Sequence, residues 1–425
     1  MKILIVGGGG REHALAWRLA QCPSVAALYA TPGNPGIARV ARCIAAPANP
    51  AGWLAAADSV GADLTVVGPE APLVAGIVDA FRAAGRAIVG PSAQAARLEG
   101  SKIFSKEFMV RAGIPTAGFV RAESEAEALA ALDRFGCPVV LKADGLAAGK
   151  GVIIAHTRAE AEAAIRGLIS GELVGKAGAR MVVEEFLTGE EVSFIALSDG
   201  RRVLALEPTQ DHKAVGDGDT GPNTGGMGAY CDSRILTDAQ RADVLDRVVA
   251  PTIERMRDEG APFTGFLYVG LMMTATGPKV LEYNVRLGDP ETQALMHRLG
   301  SDFAEALAAA ARGDLSGASL AWSADPSVCV VMASAGYPGT PRTGDAIGGM
   351  DEAEALGATV FHAGTRTAAG AIETAGGRVL GVTASAADLA GAIENTYRAV
   401  AKIHFDGMHF RRDIGRKGLK RWGTV

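Results

Sequence analysis

The chain has 425 residues, 48% apolar and 21% charged, with a formal charge of −5. That length holds two to four domains, each able to bury its own core without disulfides, and the composition excludes disorder over most of the chain. A mildly acidic chain lacks the field that binds nucleic acid or anionic membrane, and no apolar run approaches the roughly 18 residues of a membrane span. The five dispersed cysteines suit a reducing compartment. A cytoplasmic protein with no nucleic-acid or membrane partner is expected.

From the N-terminus, short apolar runs at 3–6, 26–30, 64–67 and 87–89 alternate with amphipathic stretches at 11–21 and 73–84, which predicts an open parallel α/β sheet. Turns rich in glycine and proline follow the runs, at 7–10, 31–34, 68–70 and 90–92, on the edge where ligands of such sheets bind. A helix is expected over 101–114, stopped by Pro115. Residues from about 120 to 187 read as a small α+β lobe, with strands at 137–142, 152–155 and 181–185 and a helix capped by Thr157 that runs to about 169. A larger antiparallel sheet follows, with a hairpin around Asp199-Gly200, a strand pair at 266–273 and 279–283, and helices over 237–259 and 301–312. Residues 208–230 read as the longest irregular stretch, too rich in charge and glycine for a linker. After Asp325-Pro326 a last unit opens with a strand at 328–332.

Four segments carry residue types suited to phosphate chemistry. Gly7-Gly8-Gly9-Gly10-Arg11-Glu12-His13 follows a strand and opens a helix whose N–H groups suit an anion. The dinucleotide fingerprint fails there, with Glu12 at its sixth position and no acidic residue after the second strand at Thr31, and the glycines serve a tight turn equally well. Lys142 ends a strand before the glycine loop 145–151, where backbone amides and Lys150 could cover a triphosphate. It is no Walker loop, since Gly151 stands where Ser or Thr is required; a plain glycine hairpin is the alternative. Glu184-Glu185-Phe186-Leu187 ends a strand whose backbone would meet a planar base, with Glu191 placed for ribose hydroxyls; alone, these acids would be an exposed strand end. Glu282 and Asn284 share one strand face, two hard oxygen donors suited to magnesium, and Arg286 follows on that face.

The least ordinary stretch runs from Asp211-His212-Lys213 through Asp217 and Asp219 to Asn223 and the glycines 225–228, and suits a loop closing on a small charged substrate. His212 reads as a packing residue, and His404 and His409 as structural. The basic tail of Arg411, Arg412, Arg416, Lys417, Lys420 and Arg421 reads as a solvated face.

These segments, in this order, resemble the phosphoribosylamine-glycine ligase (glycinamide ribonucleotide synthetase) family of ATP-grasp enzymes. The likeness covers nearly the whole chain and is most specific at Asp211-His212-Lys213, at 219–228 and at Arg286-Leu287-Gly288-Asp289-Pro290-Glu291. It implies an α/β and α+β multidomain fold: an N-terminal open parallel sheet over 1–100, an ATP-grasp core over 101–325 with a mobile lid at about 120–187, and a C-terminal α+β domain over 326–425. By the same likeness Lys102, Lys142, Ala147, Ala148, Gly149, Lys150, Gly151 and Val152 take the ATP phosphates, Glu184, Glu185, Phe186 and Leu187 the adenine, and Glu191 the ribose. Glu282 and Asn284 take Mg2+ or Mn2+. Gly9, Glu12, Glu70, Asp211, Asp219, Asn223, Gly225 and Arg378 serve the substrates, and Lys213, Arg286 and Asp289 the reacting groups. The chain departs from the pattern at Leu287 and Tyr283, and the strand before Glu282 carries Gly270-Leu271-Met272 rather than an acid, which leaves two main metal ligands.

The activity so implied is ATP-dependent ligation of glycine to 5-phosphoribosylamine in purine biosynthesis, through glycyl phosphate, by a monomer or weak homodimer. Such a reaction needs positioning, charge neutralisation and water exclusion rather than a side-chain nucleophile. Another ATP-grasp ligase, such as a formate-using transformylase, or a biotin-dependent carboxylase would share the ATP site, but the 211–228 loop favours the glycine ligase. Glu12 and Thr31 oppose a nicotinamide oxidoreductase, and the Glu282–Asn284 pair opposes a non-catalytic nucleotide sensor.

Overall fold

The computed structural model describes residues 1–146, 151–173 and 179–423. The apolar run at the N-terminus forms β1 (Lys2–Gly7), whose Ile3, Leu4, Ile5 and Val6 are all buried, as a parallel strand covered on both faces requires. It pairs in parallel with β2 (Ala27–Pro32) and β4 (Leu64–Val67), and the outer strands β3 (Arg42–Cys43) and β5 (Ile88–Val89) complete the order β3-β2-β1-β4-β5. The helix expected over 73–84 is two, Glu70–Val74 and Ile77–Ala83, because Gly76 between them adopts φ +84° and breaks the first.

The lobe at 120–187 is a four-stranded antiparallel sheet of β6 (Phe119–Ala122), β7 (Val139–Ala143), β8 (Val152–Ala155) and β9 (Met181–Glu185), in the order β6-β9-β7-β8. Two helices, Glu125–Phe135 and Arg158–Ile169, are capped by Ser124 and Thr157 and cover one face. Leu132, Leu141, Ile165 and Val183 form a core separate from the rest of the molecule.

Beyond the lid run β10 (Glu190–Asp199) and its hairpin partner β11 (Val203–Ala205). The stretch at 208–230, expected to be irregular, instead holds four short strands: β12 (Thr209–Asp211), β13 (Ala214–Gly216), β14 (Thr220–Asn223) and β15 (Gly228–Cys231). At three or four residues each they are too short to show a period, and β13 with β14 makes a separate ribbon. The long pair is β16 (Thr264–Thr274) and β17 (Gly277–Asn284), turned by Ala275 and Thr276. The helix ahead of them holds a π turn at Leu245–Val249 next to Pro251, whose missing N–H cannot close a regular turn.

The last unit contributes β18 (Ser327–Ala333), β19 (Thr359–His362), the ribbon β20 (Thr365–Ala368) with β21 (Ala371–Thr374), and β22 (Arg378–Ser385). It does not stand apart. β18 pairs with β15, so one nine-stranded antiparallel sheet, β17-β16-β10-β12-β15-β18-β22-β19 with β11 beside β10, runs through the core and the last unit. The tail is also less solvated than its charge implies. Arg411 is fully buried, bonded to Asp219, Asp413 and the Ala214 carbonyl, so it pins the β13–β14 ribbon to the C-terminal segment.

Burial lowers the pKa of four histidines, to about 3 for His13 and His212 and about 4 for His297 and His362. Each takes up a proton below its ordinary 6.5 in the unfolded chain but stays neutral when folded, so their stabilising effect is complete above that pH and is lost on acidification toward 4. The ring nitrogens of His212 have no partner, so His212→Leu should flatten the dependence of unfolding free energy on pH between about 4 and 6 by about 1.4 kcal/mol per unit. Denaturant unfolding across that range is the measurement, and an unchanged slope contradicts the burial of a neutral imidazole.

Candidate active site

A cleft of about 450 Å³ lies where the lid, the β16–β17 pair, the β13–β14 ribbon, the N-terminal sheet and the last unit converge. Its phosphate-suited end begins with Lys102, first residue of the helix Lys102–Arg111. Ser101 caps this helix, and Asp144 accepts from both Ser101 Oγ at 2.7 Å and Ile103 N at 3.1 Å, which ties the turn after β7 to the helix start. Lys142, near the end of β7, crosses from lid to sheet and donates to the Leu281 carbonyl at 2.7 Å. Glu184 is buried between Lys142 and Lys106 at 3.0 and 3.2 Å, and its other oxygen has no partner. Burial lowers the Lys106 pKa to about 8, with Glu184 acting in the opposite sense.

Glu282 faces this group from β17. Lys102 Nζ stands 3.2 Å from one of its oxygens and Lys213 Nζ 4.0 Å from the other. Burial acts to raise the Glu282 pKa, but Lys102, Lys213 and Lys142 overcome it and hold the carboxyl well below the ordinary range. Gly270 lies opposite on β16, and a Cβ there would stand 3.2 Å from the Glu282 side chain. Lys213 pairs with Glu191 at 3.1 Å, and burial raises neighbouring Asp211 to about 7, aided by Glu291, Glu191 and Glu282 against Lys213.

The opposite end is built around Arg286. It donates to Glu99 at 2.8 Å, Glu70 at 3.3 Å and Asn284 Oδ1 at 3.4 Å. Burial opposes its charge, but Glu99 and Glu70 outweigh that and raise its pKa, so it stays protonated. Asp289 pairs with Arg378 of β22 at 3.2 Å, while Arg378 also bonds the Asp289, Gly225 and Gly226 carbonyls. Burial opposes ionisation of Asp289, yet Arg378 and Arg11 bring its pKa below the ordinary value.

Most expected site residues therefore meet: Lys102, Lys142, Gly151, Val152, Glu184–Leu187, Glu191, Asp211, Lys213, Asn223, Gly225, Glu282, Asn284, Arg286, Asp289, Glu70 and Arg378 all line the cleft. Ala147, Ala148, Gly149 and Lys150 lie outside the described residues. Three of the expected residues do not line the cleft. Asp219 is held away by Arg411 and Lys417, at 2.9 and 2.7 Å, because its loop folds onto the C-terminal segment. Glu12 is spent on Gly9 N and Arg11 Nε, both at 2.6 Å, and fills the space that Gly7 and Gly68 leave open. Gly9 does not line the cleft; its N–H serves Glu12, and a Cβ on it would lie 3.7 Å from Asp289. Glu99, Lys106 and Tyr268 escaped notice. Glu99 stands three residues before Lys102, but no spacing rule links it to Arg286.

Comparison with known proteins agrees with this architecture. Residues 100–292 match the ATP-grasp (A) domain of phosphoribosylglycinamide synthetase, which makes the protein one of the ATP-grasp class. Residues 1–99 and 327–417 match the N and C domains of the same synthetase. A phosphoribosylamine–glycine ligase of Xylella fastidiosa is 51% identical over 100% of this chain and 98% of its own length. The crystal structure of phosphoribosylamine–glycine ligase from Thermotoga maritima superposes with a TM-score of 0.85 at 33% identity, covering 97% of this chain and all of that one. The chain belongs to the phosphoribosylglycinamide synthetase family. At 19% identity and a TM-score of 0.71, a biotin carboxylase domain from Hydrogenobacter thermophilus, solved with MgADP, shares the fold over 96% of this chain and 91% of its own.

Proposed function

We propose that the protein joins glycine to 5-phosphoribosylamine while ATP is cleaved to ADP and phosphate, giving glycinamide ribonucleotide for purine synthesis. The observation that carries this is the meeting in one cleft of Lys102, Lys142 and Lys213 around Glu282 with Arg286, Asp289 and Arg378 beyond them. Lys102 and Lys142 neutralise the ATP phosphates, with Gly151 and Val152 beside them in the cleft. The 184–187 strand end meets adenine, and Glu191 releases Lys213 to meet ribose. Glu70, Asp289 and Arg378 face the amine substrate, with Asp211, Asn223 and Gly225 across the cleft. The protein works as a cytoplasmic monomer or weak homodimer, and among the described residues no helix is long and apolar enough to cross a membrane.

Glycine's carboxylate oxygen attacks the γ-phosphorus, the bond to the ADP oxygen breaks, and glycyl phosphate forms. The amine nitrogen then attacks the glycyl carbonyl, sheds a proton, and phosphate leaves. The side chains align the partners and neutralise charge, and the lid excludes water that would hydrolyse the acyl phosphate. Glu282 and Asn284 fit a divalent ion of the Mg2+ or Mn2+ kind. They are two hard oxygen donors next to the phosphate lysines, and among the described residues no cluster of three acidic, histidine or cysteine side chains competes as a cage, so such an ion would complete its shell with phosphate and water. When bound, it neutralises charge on the phosphate oxygens.

Glu282→Gln combined with Asn284→Ala should lower turnover by roughly 100-fold or more and raise the magnesium concentration needed for ADP release, with the fold intact by circular dichroism. Wild-type metal dependence in that variant would remove the site. For the intermediate, glycine labelled with oxygen-18 in its carboxylate should transfer one labelled atom to the released phosphate. Phosphate free of label after complete turnover excludes carboxylate attack on ATP.

A further inference from the structure

Two carboxylates share the Arg286 guanidinium, and they are held differently. Glu99 has both oxygens engaged, one accepting from Arg286 at 2.8 Å and the other from Val285 N at 2.8 Å, and its side chain is 5% exposed. Glu70 reaches Arg286 Nε at 3.3 Å, and its side chain is 28% exposed. Glu99 sits in the short helix Arg97–Gly100 at the junction leading to Lys102, whereas Glu70 opens a helix at the edge of the parallel sheet. Arg286 is thus shared between two carboxylates, and its Nε–H is occupied by Glu70 until another group takes that carboxylate.

We propose that Glu99 is a positioning residue that anchors Arg286 throughout the reaction, while Glu70 is a partner surrendered to the amine substrate. This rests on the ligase reading above. An amine and its hydroxyls that engage Glu70 free the Arg286 Nε–H. The Nε–H so released can donate to the transferring phosphate, while Glu99 keeps the guanidinium in place. Because Glu99 also holds Val285 N, it fixes the backbone between Asn284 and Arg286 and so the direction from which the guanidinium approaches.

Substitution separates this from a purely structural role. In Glu99→Gln the side-chain carbonyl still accepts from Val285 N, but the amide nitrogen cannot accept from Arg286; Glu99→Ala removes both bonds. The expected result is that Glu99→Gln lowers kcat roughly 10- to 100-fold, close to the loss in Glu99→Ala, with KM for ATP and for the amine within about twofold of wild type. Glu70→Gln should instead raise KM for the amine roughly tenfold or more and keep kcat at saturation within about threefold. Arg286→Lys combined with Glu99→Gln should be little worse than Arg286→Lys alone, since both changes remove one contact. A wild-type kcat in Glu99→Gln beside a damaged Glu99→Ala would reduce Glu99 to a backbone acceptor and overturn the proposal. Identical signatures for Glu70→Gln and Glu99→Gln would overturn the division between them. Wild-type enzyme that releases ADP only with a different carboxylate and amine would refute the substrate assignment alone, and the same variants assayed on that pair would still decide the role of Glu99.

Discussion

A cation cannot be buried without a partner, and a cleft built for a triphosphate must gather several of them. Every domain of this protein meets its neighbour through that constraint. Lys142 of the lid is satisfied by a carbonyl of β17, and Lys279 of β17 by Glu185 of the lid at 3.2 Å. Arg286, just beyond β17, is satisfied by Glu70 and Glu99 of the N-terminal unit, and Arg378 of the last unit by Asp289. Arg11 of the first helix returns to the Leu287 carbonyl at 3.1 Å. The same charges fasten the domains together.

Such pairs suit a site that must exchange partners. An ammonium group already desolvated and facing a carboxylate gives up one anionic partner for another when phosphate arrives, so little new desolvation is required. The Glu282 carboxyl shows the balance: three lysines keep it ionised despite burial. Lys102 and Lys213 are placed around it by these contacts within the protein, and such fixed placement of charge is what electrostatic catalysis needs.

Much of this was legible in the chain because the strands that carry it are short, apolar and buried. The runs at 3–6, 64–67, 152–155 and 181–185 read correctly, and Thr157 marked its helix start to the residue. Residue types with a demanding chemistry, such as Lys142 near the end of a strand or Glu282 two positions from Asn284, stand out by local spacing alone. What local spacing cannot reveal is a partner far along the chain. Glu99 and Arg286 are 187 positions apart, and Asp219 and Arg411 are 192 apart. The ion pair of Asp219 with Arg411 is invisible in the sequence for that reason, and so is that of Glu99 with Arg286. The joining of β15 to β18 is hidden likewise, since the Asp325-Pro326 break marks a change of unit and says nothing about which sheet the next strand enters.

The shared sheet decides which part of the molecule can move. β10, β15, β16, β17, β18 and β22 belong to one hydrogen-bonded ladder, so Glu282, Asn284 and Arg378 are carried by one framework with Asp289 paired to it. The lid has its own four strands and its own apolar core, and among the described residues its side chains meet that framework at the cleft through the polar contacts of Lys142 and Glu185 and a small apolar cluster of Leu187 with Met272 and Leu281. The apolar packing is therefore concentrated inside the lid, and only a small apolar contact and a few polar ones join its rim to the sheet. Glu282, Asn284 and Arg378 are held on the large sheet, whereas Lys142 and the 184–187 strand end belong to the lid.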